Sequence, residues 1–203
     1  GHCVTYPLLR ANNDHMGIQE HRDLQDTFLR LFEPQRSALW RFVRSMVRTD
    51  HEAEDMMSET VLQAYQSIHK LRDEQAFVSF LFTIAHRLVK RHRWRRTFFG
   101  QYDEQAAHEI PHTDAQPDVQ MDIVLLRQAL QRLPERTREA VVLFDILGLS
   151  LEEIKVIQGG TLSGVKSRLV RGRRSLATML GVDQHQEEPA LSTIPRVHNQ
   201  PIL

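Results

Sequence analysis

Read by itself, the sequence specifies an all-α protein in which two small helical domains flank a flexible linker. Apolar residues recur at three- and four-residue intervals almost throughout, as in Leu24, Phe28, Leu31 and Phe32 and then Leu39, Phe42, Val43, Met46 and Val47. That periodicity vanishes between Phe99 and Val119, where Gly100, Pro111 and Pro117 interrupt a run rich in Asp, Glu, Gln and His. It returns with Ile123, Leu126, Leu130 and Leu133.

Each element has a local reason. Pro34 separates the first two apolar runs and suits a first helical turn, because its missing N–H would have no partner there, and a helical hairpin is expected. Thr49 or Asp50 can cap a third helix, with Glu52 placed to complete a capping box from Thr49, and its inward stripe is expected to be Ala53, Met57, Thr60, Ala64 and Ile68. A fourth helix, from about Glu74 to Arg96, opens on Phe77, Phe80 and Phe82 and ends in a basic run. In the second domain Pro134 opens a helix carrying Val141, Phe144 and Leu147, which Gly148 ends. The expected division is an extension over 1–19, a first domain over 20–98, an acidic linker over 99–122, a second domain over 123–181, and a disordered polar tail over 182–203.

Composition narrows the function. The chain of 203 residues has 26 Lys and Arg against 26 Asp and Glu, so net charge points to no partner. Its distribution does, since Arg87 to Arg96 holds six basic residues and no acid and Lys166 to Arg174 holds five more. One cysteine, Cys3, rules out an internal disulfide framework and fits a reducing compartment. No apolar run approaches the ~20 residues that span a bilayer, and Gly1-His2-Cys3 does not begin a secretory signal, so a cytoplasmic protein without membrane insertion is expected. Gly1 and His2, standing where a methionine would, are expected to be a cloning remnant. No phosphate loop, nucleophile elbow or Cys-x-x-Cys is present, so no enzyme and no cofactor are expected. His108 and His112 have i, i+4 spacing, but Pro111 lies between them and no third ligand is near, so no metal site is expected.

The segment from Ser150 to Met179 is built as a helix-turn-helix. Ser150-Leu151-Glu152-Glu153 is a second capping box, Gly159-Gly160 permit a tight turn, and Thr161 caps a helix with the apolar stripe Leu162, Val165, Leu169 and Leu176. Lys166, Arg168, Arg171, Arg173 and Arg174 lie largely off that stripe, where a major groove would receive them. On the first domain, Glu52, Asp55 and Glu59 share a helical face opposite the apolar stripe, suited to a basic partner. On these residues alone, a stand-alone regulator with a sensing or dimerising first domain remains open, as does a helical protein whose basic faces meet an acidic one.

Several runs narrow this further. Leu133-Pro134-Glu135-Arg136, Gly148-Leu149-Ser150-Leu151-Glu152-Glu153-Ile154 and Val165-Lys166-Ser167-Arg168-Leu169 resemble region 4 of the extracytoplasmic-function subfamily of sigma-70 RNA polymerase sigma factors. His51 to Thr60 resembles that family's acidic region 2.2, and Phe77 to Arg87 its region 2.3, where Phe80 stands at a position the family commonly gives to a packing tryptophan, so that a packing role is implied for it; together the matches span about residues 24 to 180. The resemblance implies an alternative-type sigma factor whose Glu52, Asp55 and Glu59 meet the β′ clamp helices of core RNA polymerase, with the β flap as a further contact. It implies that the loop from Ile68 to Ala76 holds an unpaired minus-10 base, with Lys70, Arg72, Arg87, Lys90, Arg91 and Arg93 on that DNA. Ser163, Lys166, Ser167, Arg168, Arg171 and Arg174 are implied at the minus-35 element, and an anti-sigma factor is implied as a regulator. Two positions depart from the family. Arg87 stands where asparagine is common, so that base recognition there either differs or gives way to phosphate contact, and Gly160-Thr161-Leu162-Ser163-Gly164 replaces a Pro-x-Gly-Thr pattern, which is expected to loosen the start of the recognition helix.

Overall fold

A computed structural model describes residues 22–99 and 117–181. The expected N-terminal extension with Cys3, most of the acidic linker with His108 and His112, and the C-terminal tail lie outside the described residues. Among those described every regular element is helical. Helix α1 covers 22–32 and runs through a 3-10 turn at Glu33–Gln35 into α2, Arg36–Met46. Phe32, Gln35 and Arg36 all keep right-handed helical angles, so Pro34 produces a tight step in a continuing helix and the expected hairpin does not form there. Phe28 and Phe32 stack one turn apart with centroids 5.5 Å apart, and Phe28 meets Tyr65 and Phe77 edge-on.

Helix α3, Asp50–Ser67, starts at the predicted capping box, with Thr49 Oγ1 accepting from the Glu52 N–H and Glu52 accepting from the Thr49 N–H. Its buried stripe is Ala53, Met56, Thr60 and Ala64, followed by Ile68. Met56 replaces the expected Met57, which is half-buried, because a 3-4-4 spacing keeps the stripe on the side where α4 lies. Small residues at 53, 60 and 64 let the two helices approach closely, and the buried Thr60 hydroxyl donates to the Met56 carbonyl at 2.7 Å. Helix α4, Phe77–Phe99, buries Phe77, Leu81, Phe82, Ala85, Leu88 and Val89, with Phe82 edge-on to Phe42 of α2. Phe80 packs against the core, tilted on Phe77, as its packing role requires.

The second half begins at Pro117, ahead of the expected return of periodicity, with α5 at Pro117–Arg132. Then come α6, Glu135–Val141, whose last turn widens into a π-helical segment Val142–Ile146, then α7, Leu151–Gln158, and α8, Leu162–Leu180. Gly148, Gly159 and Gly160 all have positive φ, which glycine alone adopts at little cost. Gly172 of α8 has another reason: a Cβ there would lie 2.6 Å from Val141 Cγ2 and 2.9 Å from Thr137 Cγ2, so its absence lets α8 seat on α6.

The two helical domains also pack on each other. Leu130, Leu133 and Ala140 belong to one apolar cluster with Leu39, Phe42 and Leu88, and α7 lies along α4. Polar groups seal the seam. Gln131 Nε2 donates to the carbonyls of Ser45 and Val47, at the open end of α2, and Arg138 Nη1 donates to Ser45 O and to Gln131 Oε1. His86 Nδ1 of α4 donates at 2.6 Å to Oε1 of Glu139, whose other oxygen accepts from Gln158 Nε2 of α7; Glu139 is 2% exposed.

Gly172→Ala is expected to destabilise the chain. The methyl gains about 1 kcal/mol of helix propensity, but it meets short, stiff β-branched side chains, and overpacking of that kind costs about 1 to 3 kcal/mol. Urea denaturation should show a lower midpoint at unchanged slope; an unchanged or raised midpoint would contradict the packing described.

Candidate nucleic-acid interface

The helix-turn-helix is held by its caps. Ser150 Oγ accepts from the Glu153 N–H while Glu153 accepts from the Ser150 N–H, and Thr161 Oγ1 accepts from the Gly164 N–H at 3.1 Å. Thr161 thus closes the first turn of α8 directly, and the loosening expected from Gly160-Thr161-Leu162-Ser163-Gly164 is not found. Val165 and Leu169 are buried, Leu162 and Leu176 half-buried, and Gly172 completes the inward stripe.

Ser163, Lys166, Ser167, Arg171 and Arg174 stand exposed on the outer side of α8. No ion pair is seen at Lys166, Arg171 or Arg174 among the described residues. Arg168 differs. It is half-buried, its Nε and Nη2 are enclosed without a hydrogen-bond partner, and burial followed by the nearby Arg136 lowers its pKa, partly offset by Glu139. At its position the helix turns from solvent toward its own inward stripe, so Arg168 is tucked against the domain and is not presented with the others. Arg173 is also engaged, holding Asp145 and lying over the Phe144 ring at 5.3 Å.

The first half sorts its charges in the same way. Lys70 and Arg72, in the short segment between α3 and α4, and Arg87 and Lys90 on α4 are exposed, and none has an ion pair among the described residues. Arg91 is bound to Glu59 of α3 and Arg93 to Glu135 of α6. The acidic face is likewise divided. The Asp55 side chain is 72% exposed and lies 3.7 Å from His51, its ion-pair neighbour among the described residues, whereas Glu59 holds Arg91 and accepts from Gln63. Glu52 is an architectural residue: besides the cap it accepts from the Arg48 N–H and meets His92 Nε2 at 3.2 Å. The three carboxylates therefore do not form one free ridge, and Asp55, beside the exposed Glu54, is its accessible part.

Glu139, His86, Gln131 and Arg138 had no warning in the sequence. Their partners lie 53 residues apart for His86 with Glu139 and 93 for Arg138 with Ser45, and neither pair carries a local pattern. No helix among the described residues is long and apolar enough to cross a membrane.

Residues 31–98 match the family model of sigma-70 region 2, and residues 123–176 match that of sigma-70 region 4. The chain is 30% identical over 147 residues to the ECF RNA polymerase sigma factor EcfG of Rhodopseudomonas palustris, covering 72% of this chain and 81% of that one. It is also 30% identical over 170 residues to the RNA polymerase sigma factor CarQ of Myxococcus xanthus, covering 81% and 95%. Among solved structures it resembles the sigma factor RpoE of Bartonella quintana, crystallised with the anti-sigma factor NepR, at a TM-score of 0.65 and 26% identity, over 80% of this chain and 99% of that one.

Burial pushes the Glu52 carboxyl up, but the two backbone N–H groups and His92 more than offset it, so its pKa lies below the ordinary 4.5. A depressed carboxylate contributes stability that is complete above its unfolded pKa and disappears as pH falls through the folded one. Thermal unfolding of the parent chain should therefore lose more Tm between neutral pH and the acid range than that of Glu52→Gln, which keeps a capping side chain but cannot titrate. Parallel curves would show that Glu52 carries no such linkage.

Proposed function

Starting from the fact that this chain belongs to the extracytoplasmic-function family of sigma-70 factors and acts as an alternative sigma factor in promoter-specific transcription, we propose how its two halves divide that work. The first half meets core polymerase through Asp55 and its exposed neighbours and takes the minus-10 strand along Lys70, Arg72, Arg87 and Lys90. The second reads the minus-35 element with Ser163, Lys166, Ser167, Arg171 and Arg174, and its outer surface also meets the β flap. Both contacts are those of a DNA-binding regulatory subunit, working in the cytoplasm beside the polymerase.

The observation that carries this reading is the selective exposure of cations. In a chain without net charge, carboxylates engage Arg91, Arg93 and Arg173, while Arg87, Lys90, Lys166, Arg171 and Arg174 face water on the two helices that a nucleic acid would meet. Glu59 and Arg91 reach their partners only by giving up each other, so Glu59 is a weaker candidate for the clamp helices than Asp55.

Distance adds a requirement. The two promoter elements lie about 25 base pairs apart, on the order of 85 Å at ~3.4 Å per base pair. A packed unit of about 140 residues has a radius of gyration near 15 Å. The packed arrangement cannot touch both elements at once, so promoter binding needs the halves to part, with core polymerase holding them at the required spacing. An anti-sigma factor, like the one bound to the Bartonella relative, would act by denying either half its partner.

Initiation by purified core enzyme on a random promoter library is the direct test. The chain should support specific initiation without any other sigma factor, and Asp55→Lys should cut it roughly ten-fold or more without lowering Tm. If Asp55→Lys initiates normally, the proposed core contact is wrong. Lys166→Ala should weaken minus-35 binding about equally across sequences and reduce the salt slope by about one; an unchanged slope would remove Lys166 from the interface.

A further inference from the structure

The second half does more at the seam than lie close to the first. Along α4, His86, Lys90 and Arg93 form one ridge: at ~100° per residue they fall within ~60° of one another and span ~10 Å of helix. Two of the three are held from the other half. His86 Nδ1 donates at 2.6 Å to Glu139, and Arg93 is paired with Glu135, both carboxylates standing one turn apart on α6. The pairings run in opposite order, 86 with 139 and 93 with 135, so α6 lays its two acids along the ridge on either side of Lys90. Lys90 itself is exposed and has no ion pair among the described residues, and the exposed Arg87 follows ~60° round the helix.

The seam does not need charge at this place in order to close. At the end of α2 the neutral Gln131 satisfies the carbonyls of Ser45 and Val47, and Leu130, Leu133 and Ala140 join the apolar cluster. An ion pair in such a seam adds little stability over an apolar contact of the same size. Its larger effect is on the field, because in the packed chain two carboxylates stand where a nucleic-acid strand on α4 would bring phosphates. Acids and phosphates cannot hold the same ridge at once. Interfaces between domains of one chain are of the transient kind, and parting takes from Glu139 the His86 bond while Gln158 Nε2, in its own half, still donates to it at 2.6 Å.

We propose that α6 is an internal competitor for the nucleic acid that α4 binds. With the halves packed, Glu135 and Glu139 hold the ridge from His86 to Arg93 against polyanions, and a strand gains it only by displacing the second half. This rests on the proposed role of the first half in holding the minus-10 strand. The free chain is thereby kept from binding nucleic acid indiscriminately, and core polymerase uncovers the ridge by parting the halves.

The test uses the full chain without polymerase, at low salt, with a fluorescein-labelled oligothymidylate as probe and anisotropy as readout. Glu135→Gln should bind the strand roughly five- to ten-fold more tightly than the parent, as when a scarce binding-competent form is made common. Glu33→Gln, which removes the same charge from the turn after α1 and likewise releases an arginine, Arg36, should bind as the parent does. Dyes on Gln66→Cys of α3 and Thr178→Cys of α8, both exposed, in a Cys3→Ser background, place one label on each half. Energy transfer between them should fall when the strand binds the parent chain, a measurement that stands however the Glu135 variant folds. If Glu135→Gln binds no more tightly than Glu33→Gln, or the strand binds the parent at unchanged transfer, α6 does not compete and the seam is a packing contact only. Initiation with core enzyme separates this from the reading it rests on: Lys90→Ala should lower it, and Glu135→Gln should leave it unchanged because polymerase has already parted the halves. If Lys90→Ala is impaired while Glu135→Gln gains no affinity, the competition alone falls; if Lys90→Ala initiates normally and no chain binds the strand, the role of the first half falls with it.

Discussion

Helix α4 has to satisfy three surroundings with one sequence. One side closes the core of the first half against α2 and α3, a second lies against α6 and α7, and a third stays in water with Arg87 and Lys90. With Ile84 and Phe77 buried beside Leu81, Phe82, Ala85, Leu88 and Val89, the apolar residues cover about 160° of the helix at ~100° per residue, wider than the stripe of a helix that packs on one side only. The surface left to solvent is narrow because two sets of neighbours take the rest. Where α4 leaves the protein's interior, its arginines divide into those bound by carboxylates and those kept for solvent.

That division gives the candidate site its electrostatic pattern. An arginine paired with Glu59 or Glu135 is locally neutralised, and as an exposed pair it adds little to stability, typically under about 1 kcal/mol. Its effect is on the field that an approaching polyanion would feel, which is concentrated on the side where cations lack carboxylates. On α8 the same sorting is done by Asp145, which holds Arg173, and by the inward tilt that encloses Arg168.

Much of the fold was legible because its signals are local. Thr49 with Glu52 and Ser150 with Glu153 act within one turn, the glycines at 148, 159 and 160 report backbone angles, and the apolar stripes follow from helical spacing. Met56 in place of Met57 is a case where spacing leaves two neighbours nearly equivalent and the position of α4 decides. The charged sites were less legible, since whether Arg91 or Arg93 is available depends on carboxylates 32 and 42 residues away. The half-burial of Arg168 was hidden for a related reason: helical phase puts it near the boundary of the apolar stripe, and the proximity of Arg136 and Glu139 is a tertiary fact. The π-helical segment at Val142–Ile146 likewise has no periodic signature of its own.

The end of α2 has its carbonyls satisfied by side chains from the other half of the chain, Gln131 and Arg138 reaching Ser45 and Val47. Exchange of modules between paralogues is constrained by such an arrangement. A hybrid that borrowed its second half from a relative lacking these two side chains would leave backbone acceptors facing a foreign surface, and would inherit the same mismatch where His86 meets Glu139. The two halves can diverge freely in the DNA they read, but substitutions along the seam are coupled, so the lineage must change both sides of it together.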